Sequence, residues 1–364
     1  MKRFILLFTL LLSLPALSAE TTDSTSKKPE VDYLLRLDMR GDVNLYFDQK
    51  GEYVKQNSGF RGTYVILKFD LNVGEHFSFN YRQRLNKITF DQSFFDSFDF
   101  LSAQWKFSNG LFLKAGKMAS LLGGEEFDMY VLDVYYFSEG LNFGYASFTW
   151  NAAAGYTTPD KRSTLTFSFS ESYLRDINHK GIFGLNLHWT ANYGPWVPTW
   201  SVNFHQGHHN DWVNTFSIGN KFQFDRFKFY VDLTERTPLK EYTFMQDFSL
   251  VGQFFYSFLQ NKSLTISLKG AWDRNSHSTD PTTFNCEGMP YMYFLQPGTS
   301  IFTLSGGIEF WPIEWIRLHL MAGHSFGTAP ADVAFGFPPG TTQAMIGMTL
   351  KLPLLPLPSF LKKK

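Results

Sequence analysis

Arg36, Asp38, Arg40 and Asp42 occupy every second position of one run. In an extended strand that spacing puts all four on one face. Basic groups recur at Lys68, at Arg82 and Arg84, and at Lys114. A row of guanidinium and ammonium groups facing water lowers the barrier to a small anion, and weak binding at several points still lets the anion leave. On a face turned to hydrocarbon, each charge would cost about 2–4 kcal/mol near the membrane midplane. These residues therefore suit the handling of ions or polar solutes on a wet face. The competing outcome is pairing with Asp38, Asp70 and Glu125 into a mixed-charge wall that selects nothing.

A second group is acidic. The stretch 120–140 carries Gly123, Gly124, Glu125, Glu126, Asp128 and Asp133. Folded inward, such a loop would narrow a channel and set its carboxylates across from the basic wall. As an ordinary surface loop it would do neither.

Other chemistries find little support. His205, His208 and His209 cluster near one connection, but no repeated ligand framework accompanies them, and a solvated loop explains them better than a metal site. The many Ser and the nine His show no spacing that singles out a nucleophile and its base. No glycine pattern makes a phosphate loop. No catalytic residue, metal or cofactor is expected. The single cysteine, Cys286, has no partner for an internal disulfide. Basic and acidic residues balance at 33 each, which gives no electrostatic case for binding nucleic acid.

The elements that must carry these groups are strands. Tyr33, Leu35, Leu37, Met39, Val43, Leu45 and Phe47 alternate with the charged set of the first run. The same alternation returns at Val65, Leu67 and Phe69, at Leu101, Ala103 and Trp105, at Leu165, Phe167 and Phe169, and at Ile316, Leu318 and Leu320. Continued along the chain, it predicts about 16 strands over residues 33–352, an even number suited to a closed antiparallel barrel. Short and long connections alternate, the plan of a barrel with short periplasmic turns and long outer loops, both termini being periplasmic. Prolines such as Pro159, Pro195, Pro238, Pro281, Pro312 and Pro330 fall in or beside the connections, where a missing N–H is harmless. Trp105, Trp189, Trp200, Trp311 and Trp315 lie near strand ends, as an interfacial girdle requires. With 40 Phe and 17 Tyr, the chain has the aromatic load of a lipid-facing surface diluted by a wet interior.

The ends agree with export. Lys2 and Arg3 precede the apolar run Phe4 to Leu14, then Pro15 and the small residues Ala16, Ser18 and Ala19. That is the layout of a secretory signal peptide over 1–19, cut after Ser18 or Ala19. Residues 20–32 read as a flexible periplasmic leader and 353–364 as a short C-terminal tail. The final strand, with Gly347, Leu350 and Leu352, partly matches the signal read by outer-membrane assembly machinery.

Along the chain stand Tyr81-Arg82-Gln83-Arg84-Leu85-Asn86, Trp105-Lys106-Phe107, Leu113-Lys114-Ala115-Gly116-Lys117, and Gly123-Gly124-Glu125-Glu126-Phe127-Asp128. Asp211-Trp212-Val213-Asn214, Gly219-Asn220-Lys221-Phe222 and Asp247-Phe248-Ser249 follow. Together these motifs resemble the phosphate-selective porin O/P family in its Bacteroides-type form. The resemblance implies a 16-stranded outer-membrane porin, often a homotrimer, and the family name implies phosphate selectivity.

The sequence thus predicts an all-β transmembrane barrel with a water-filled lumen in the outer membrane of a Gram-negative bacterium. It would be embedded in outer-membrane lipid and pass small ions or polar solutes passively, with a preference for anions among the expectations. Its basic lining candidates are Arg36, Arg40, Lys68, Arg82, Arg84 and Lys114; its constriction candidates are Glu125, Glu126, Asp128 and Asp133. A barrel enzyme acting on lipid, or a soluble secreted all-β binding protein, are the alternatives.

Overall fold

Sixteen antiparallel strands close into a barrel in which each strand pairs with its sequence neighbours and the first meets the last. The computed structural model describes residues 30–87, 94–140, 147–173, 181–207, 212–238, 244–259, 263–276, 295, 297–330 and 336–355. The strands are β1 (Val31–Phe47), β2 (Gly59–Val73), β3 (Phe77–Arg84), β4 (Phe98–Lys106), β5 (Leu111–Ala119), β6 (Phe148–Thr157), β7 (Ser163–Glu171) and β8 (Phe183–Ala191). They continue as β9 (Trp196–Gln206), β10 (Trp212–Gln223), β11 (Phe227–Pro238), β12 (Asp247–Phe258), β13 (Leu264–Asn275), β14 (Thr299–Ile313), β15 (Ile316–Thr328) and β16 (Thr342–Leu355).

The two faces are inverted relative to a soluble protein. Ser168 and Asn203 are fully buried, whereas Leu268, Leu320 and Ile346 keep 56%, 54% and 59% of their surface exposed. In water such a belt would forfeit about 25 cal/mol for every Å² of apolar surface. In hydrocarbon it forfeits nothing, and closure leaves no strand edge with unpaired backbone groups. This inside-out pattern argues against the soluble alternative.

The connections between β2 and β3, β4 and β5, β10 and β11, and β14 and β15 are short turns. In a closed barrel with an even strand count they fall at the same end as the start of β1 and the end of β16. The strands run slightly past the expected limits. β1 takes in Val31 and Asp32 from the leader, and β16 carries on through Pro353, Leu354 and Leu355 of the tail. Pro353 is tolerated because the β1–β16 register shifts there, from Leu35 opposite Leu355 to Arg36 opposite Pro353. Pro238 and Pro312, expected in connections, are the terminal and penultimate residues of their strands, where the ladder is ending. Cys286, His208 and His209 lie outside the described residues.

One irregularity matters for the interior. Between β3 and β4 the register passes from Arg82 opposite Phe100 to Gln83 opposite Phe98, so Asp99 is an extra residue. Strict alternation would put Asp99 on the outward face with Leu101, Ala103 and Trp105. The bulge turns it inward, where it is 2% exposed.

Candidate functional site

Residues 120–140, which follow β5, enter the barrel and cross it. Their entry depends on glycine. A Cβ on Gly123 would come within 2.8 Å of the Ser201 backbone nitrogen, and one on Gly219 within 2.6 Å of the Gly124 Cα. Gly124 also has φ +115°, a conformation side chains rarely adopt. Two motifs distant in sequence, Gly123–Gly124 and Gly219, thus fit one another as bare backbone. Beyond them lies a single helical turn, Glu125–Asp128.

Loop and far wall are joined by ionic contacts. Glu125 accepts from Lys221 of β10 at 2.8 Å. The Glu126 N–H donates to Asp232 of β11 at 2.7 Å. The Glu126 carboxylate is fully buried, accepts from the Ser138 N–H at 2.9 Å and its hydroxyl at 2.8 Å, and pairs with Lys269 of β13. Asp133 receives Arg317 of β15 at 2.7 Å and Lys351 of β16 at 3.2 Å. Tyr135 donates to Glu309 at 2.6 Å. The loop returns to β13, where Asp273 accepts the N–H groups of Glu139 and Gly140 at 2.9 and 3.0 Å. Glu139 in turn accepts the N–H groups of Gly336 and Phe337 at 3.1 and 2.6 Å, tying in the segment before β16. Burial, reinforced by Asp273, pushes the Glu139 carboxyl up to about 7.

The expected acidic row facing a basic wall is therefore corrected. Glu126 and Asp133 fasten the loop to the far wall, because cations on β13, β15 and β16 reach them first. Glu125 is likewise held by Lys221. Asp128 differs: it is exposed to the lumen and borders a cavity. Enclosure by the surrounding barrel desolvates its carboxyl and, reinforced by Glu125 and Asp232, pushes it up to about 7.

That cavity, of about 590 Å³, lies between the loop and β1–β6. Arg36, Lys68, Arg82 and Arg84 border it on the wall side, and Phe127, Asp128 and Tyr130 on the loop side. Arg36 forks onto Asp38 at 2.6 and 2.7 Å, and Asp38 also accepts the Tyr130 hydroxyl at 2.6 Å. Lys68 pairs with Asp70 at 2.9 Å. Arg82 and Arg84 both donate through Nε to one oxygen of Asp99, at 3.0 and 2.7 Å. Two cations thus share one anion. Arg82 lies over the rings of Phe100 and Phe148, 4.4 and 4.8 Å from their centroids; Arg84 lies 5.4 Å from that of Tyr64.

Two residues leave the expected basic stripe. Arg40 is buried against the loop, donating to Asp42 at 3.2 Å and to the Val134 carbonyl at 2.9 Å. Its reach ends there because the crossing loop covers it. Lys114 faces Gln104 and lies level with Ser78 and Asn72, four residues along β2 from Lys68. At about 3.3 Å per residue that is roughly 13 Å from the Arg82 level, too far to act with it.

Sequence reading missed Asp99, Asp232, Lys269, Asp273 and Arg317. Arg317 and His319 alternate with Ile316, Leu318 and Leu320, so the inward face was visible but the loop partner was not. His205 is buried with its Nε2 2.8 Å from the Asn186 side-chain oxygen and its Nδ1 accepting the Tyr173 N–H at 3.3 Å. Among the described residues no group of His, Cys, Asp or Glu could hold a metal ion.

Comparison with known proteins agrees with this architecture. The family model described as phosphate-selective porin O and P matches residues 34–225, more than half of the chain. The fold is similar to an anion-selective porin from Comamonas acidovorans (TM-score 0.61, 10% identity, 89% of this chain and 100% of that one). It is also similar to the outer membrane channel DcaP of Acinetobacter baumannii (0.61, 13%, 91% and 99%). OmpT of Vibrio cholerae in its trimer form is similar at 0.58, with 11% identity over 89% and 100%. At these identities the likenesses show the fold alone. No curated protein matches the chain significantly. With its family model covering the basic wall, the crossing loop and the glycines that admit it, the chain belongs to the phosphate-selective porin O and P family and is an outer-membrane porin.

Proposed function

We propose that this porin passes small anions in preference to cations, at the cavity between the crossing loop and β1–β6. The observation that carries this reading is the sharing of Asp99 by Arg82 and Arg84. Arg36 and Lys68 each have their own carboxylate. The pair on Asp99 leaves one positive charge over, in a narrow, low-dielectric passage where it is screened less than on an open surface. Asp128, its carboxyl raised and only part-ionised at neutral pH, offsets a fraction of that charge from the loop. Reversal potentials across a planar bilayer in a KCl gradient test the proposal: a shift toward the chloride potential is expected, and a shift toward the potassium potential refutes it.

Family membership supports a passive channel rather than a lipid-modifying enzyme. We propose three copies per assembly, by analogy with the trimer form of the Vibrio cholerae protein, and a periplasmic end that carries both termini and the short turns. Removal of 1–19 as a signal peptide belongs to the same reading. Crosslinking in intact membranes tests the trimer, and protease access from outside the cell tests the orientation of the long connections.

A further inference from the structure

We infer that the cavity holds a binding subsite for organic monoanions with a flat apolar body, aromatic monocarboxylates being the best fit. This rests on the anion reading above and specifies its solute. A pocket of about 590 Å³ is of the size that encloses small organic molecules, well beyond what a bare inorganic ion fills. Its chemistry has two halves. The polar half is the pair Arg82 and Arg84. Each contacts Asp99 through Nε alone, and among the described residues no hydrogen bond engages their Nη groups. Two guanidinium edges that share one carboxylate match a planar carboxylate, which accepts parallel N–H bonds. The Arg36 fork, by contrast, is already filled by Asp38.

The other half is aromatic. Tyr64, Phe100 and Phe148 border the cavity beside the arginines, and Phe127, Tyr130 and Phe137 border it from the loop. Inorganic phosphate gains nothing from these rings. A flat apolar body lying against the loop-side rings gains both dispersion and burial, while its carboxylate stays on the arginines, whose guanidiniums already cover Phe100 and Phe148.

The test uses the full-length porin in planar bilayers with symmetric KCl. Benzoate, acetate and inorganic phosphate are added in turn at equal concentration, and the fall in conductance is titrated. Benzoate is expected to block with an affinity about tenfold above acetate and phosphate, the gain typical of one aromatic contact. Phe127→Ala should weaken the benzoate block about fivefold and leave the response to acetate unchanged. Equal block by acetate or phosphate overturns the subsite, as does an unchanged benzoate block in a Phe127→Ala channel of normal conductance. Should that variant fail to assemble, the wild-type comparison of the three anions decides alone. Reversal potentials recorded in the same bilayers separate the two proposals. Chloride preference with equal block removes the subsite and keeps the anion channel. Potassium preference with selective benzoate block removes the anion channel and keeps the subsite.

Discussion

The two sides of the lumen use the same residue types to opposite effect. On β10–β16 the inward cations Lys221, Lys269, Arg317 and Lys351 meet carboxylates delivered by the crossing loop. Their charge is spent on holding a constriction in place. On β1–β3 the inward cations Arg36, Lys68, Arg82 and Arg84 border open space, and Arg82 and Arg84 share one carboxylate between them. One side is a clamp and the other a wall. A charged residue on the wet face of a strand therefore has no fixed role until the loop that fills the lumen has chosen its partners.

The contrast breaks most violently if the clamp is cut. Arg317 is 2% exposed and binds Asp133, Glu309 and the Leu132 carbonyl together. Arg317→Met keeps most of the volume and leaves Glu309 and the Leu132 carbonyl without their cation, while Asp133 keeps Lys351; breaking such a buried pair costs up to about 3–5 kcal/mol. The loop should detach while the strands stay paired. Single-channel conductance is expected to rise and grow noisy, with a lower midpoint for heat unfolding. Unchanged conductance would mean that the loop is held by packing and that the ion pairs are incidental.

How far this was legible in the sequence depends on what sets each feature. The strand count, the barrel class and the wet face of β1 follow from period-two alternation, which is local. The inward turn of Asp99 is not local. It needs one extra residue in β4, and Phe98-Asp99-Phe100 reads equally well with Asp99 on the outer face. The loop's grip on β13 and β15 was hidden for a related reason: Glu126 and Lys269 are 143 residues apart in the chain. The glycines show the same limit. Gly123-Gly124 and Gly219 sit in two motifs far apart in the chain, and their closeness in space is what lets the loop enter.

The wall side gives a paired prediction. Arg84→Gln removes the surplus charge and should lower the chloride-to-potassium permeability ratio several-fold. Asp99→Asn releases both arginines and should raise it. Both variants keep a polar side chain of similar size, so assembly, judged by heat-modifiable gel mobility, should persist. If the two changes move the reversal potential the same way, the shared carboxylate is not the determinant.

A smaller effect is expected where the clamp meets the next loop. The Glu139 carboxyl is raised by burial to about 7, so the docked loop holds a proton that the undocked loop releases near the ordinary carboxylate value. Docking is then most stable below about pH 4.3 and weakens as pH rises through about 7. Amide exchange at Gly336 and Phe337, whose N–H groups bind this carboxylate, should be slower at pH 5 than at pH 8 once the intrinsic rate is divided out. Glu139→Gln should flatten that dependence. A steeper loss of protection toward acid would reverse the sign and make the ionised carboxylate the stabilising form.

The smallest change should come from Lys114. It shares the inward face of the wall with Arg82 but sits roughly 13 Å nearer the short turns, counted at about 3.3 Å per residue. At 0.15 M salt a charge facing the water-filled lumen is screened over about 8 Å, so its influence at the cavity is slight. Lys114→Gln is expected to alter the permeability ratio by less than about twofold, and less at high salt than at low. An effect as large as that of Arg84→Gln would show that selectivity arises from charge summed along the whole wall. The distinction between a wall of many cations and one pair around a single carboxylate would then collapse.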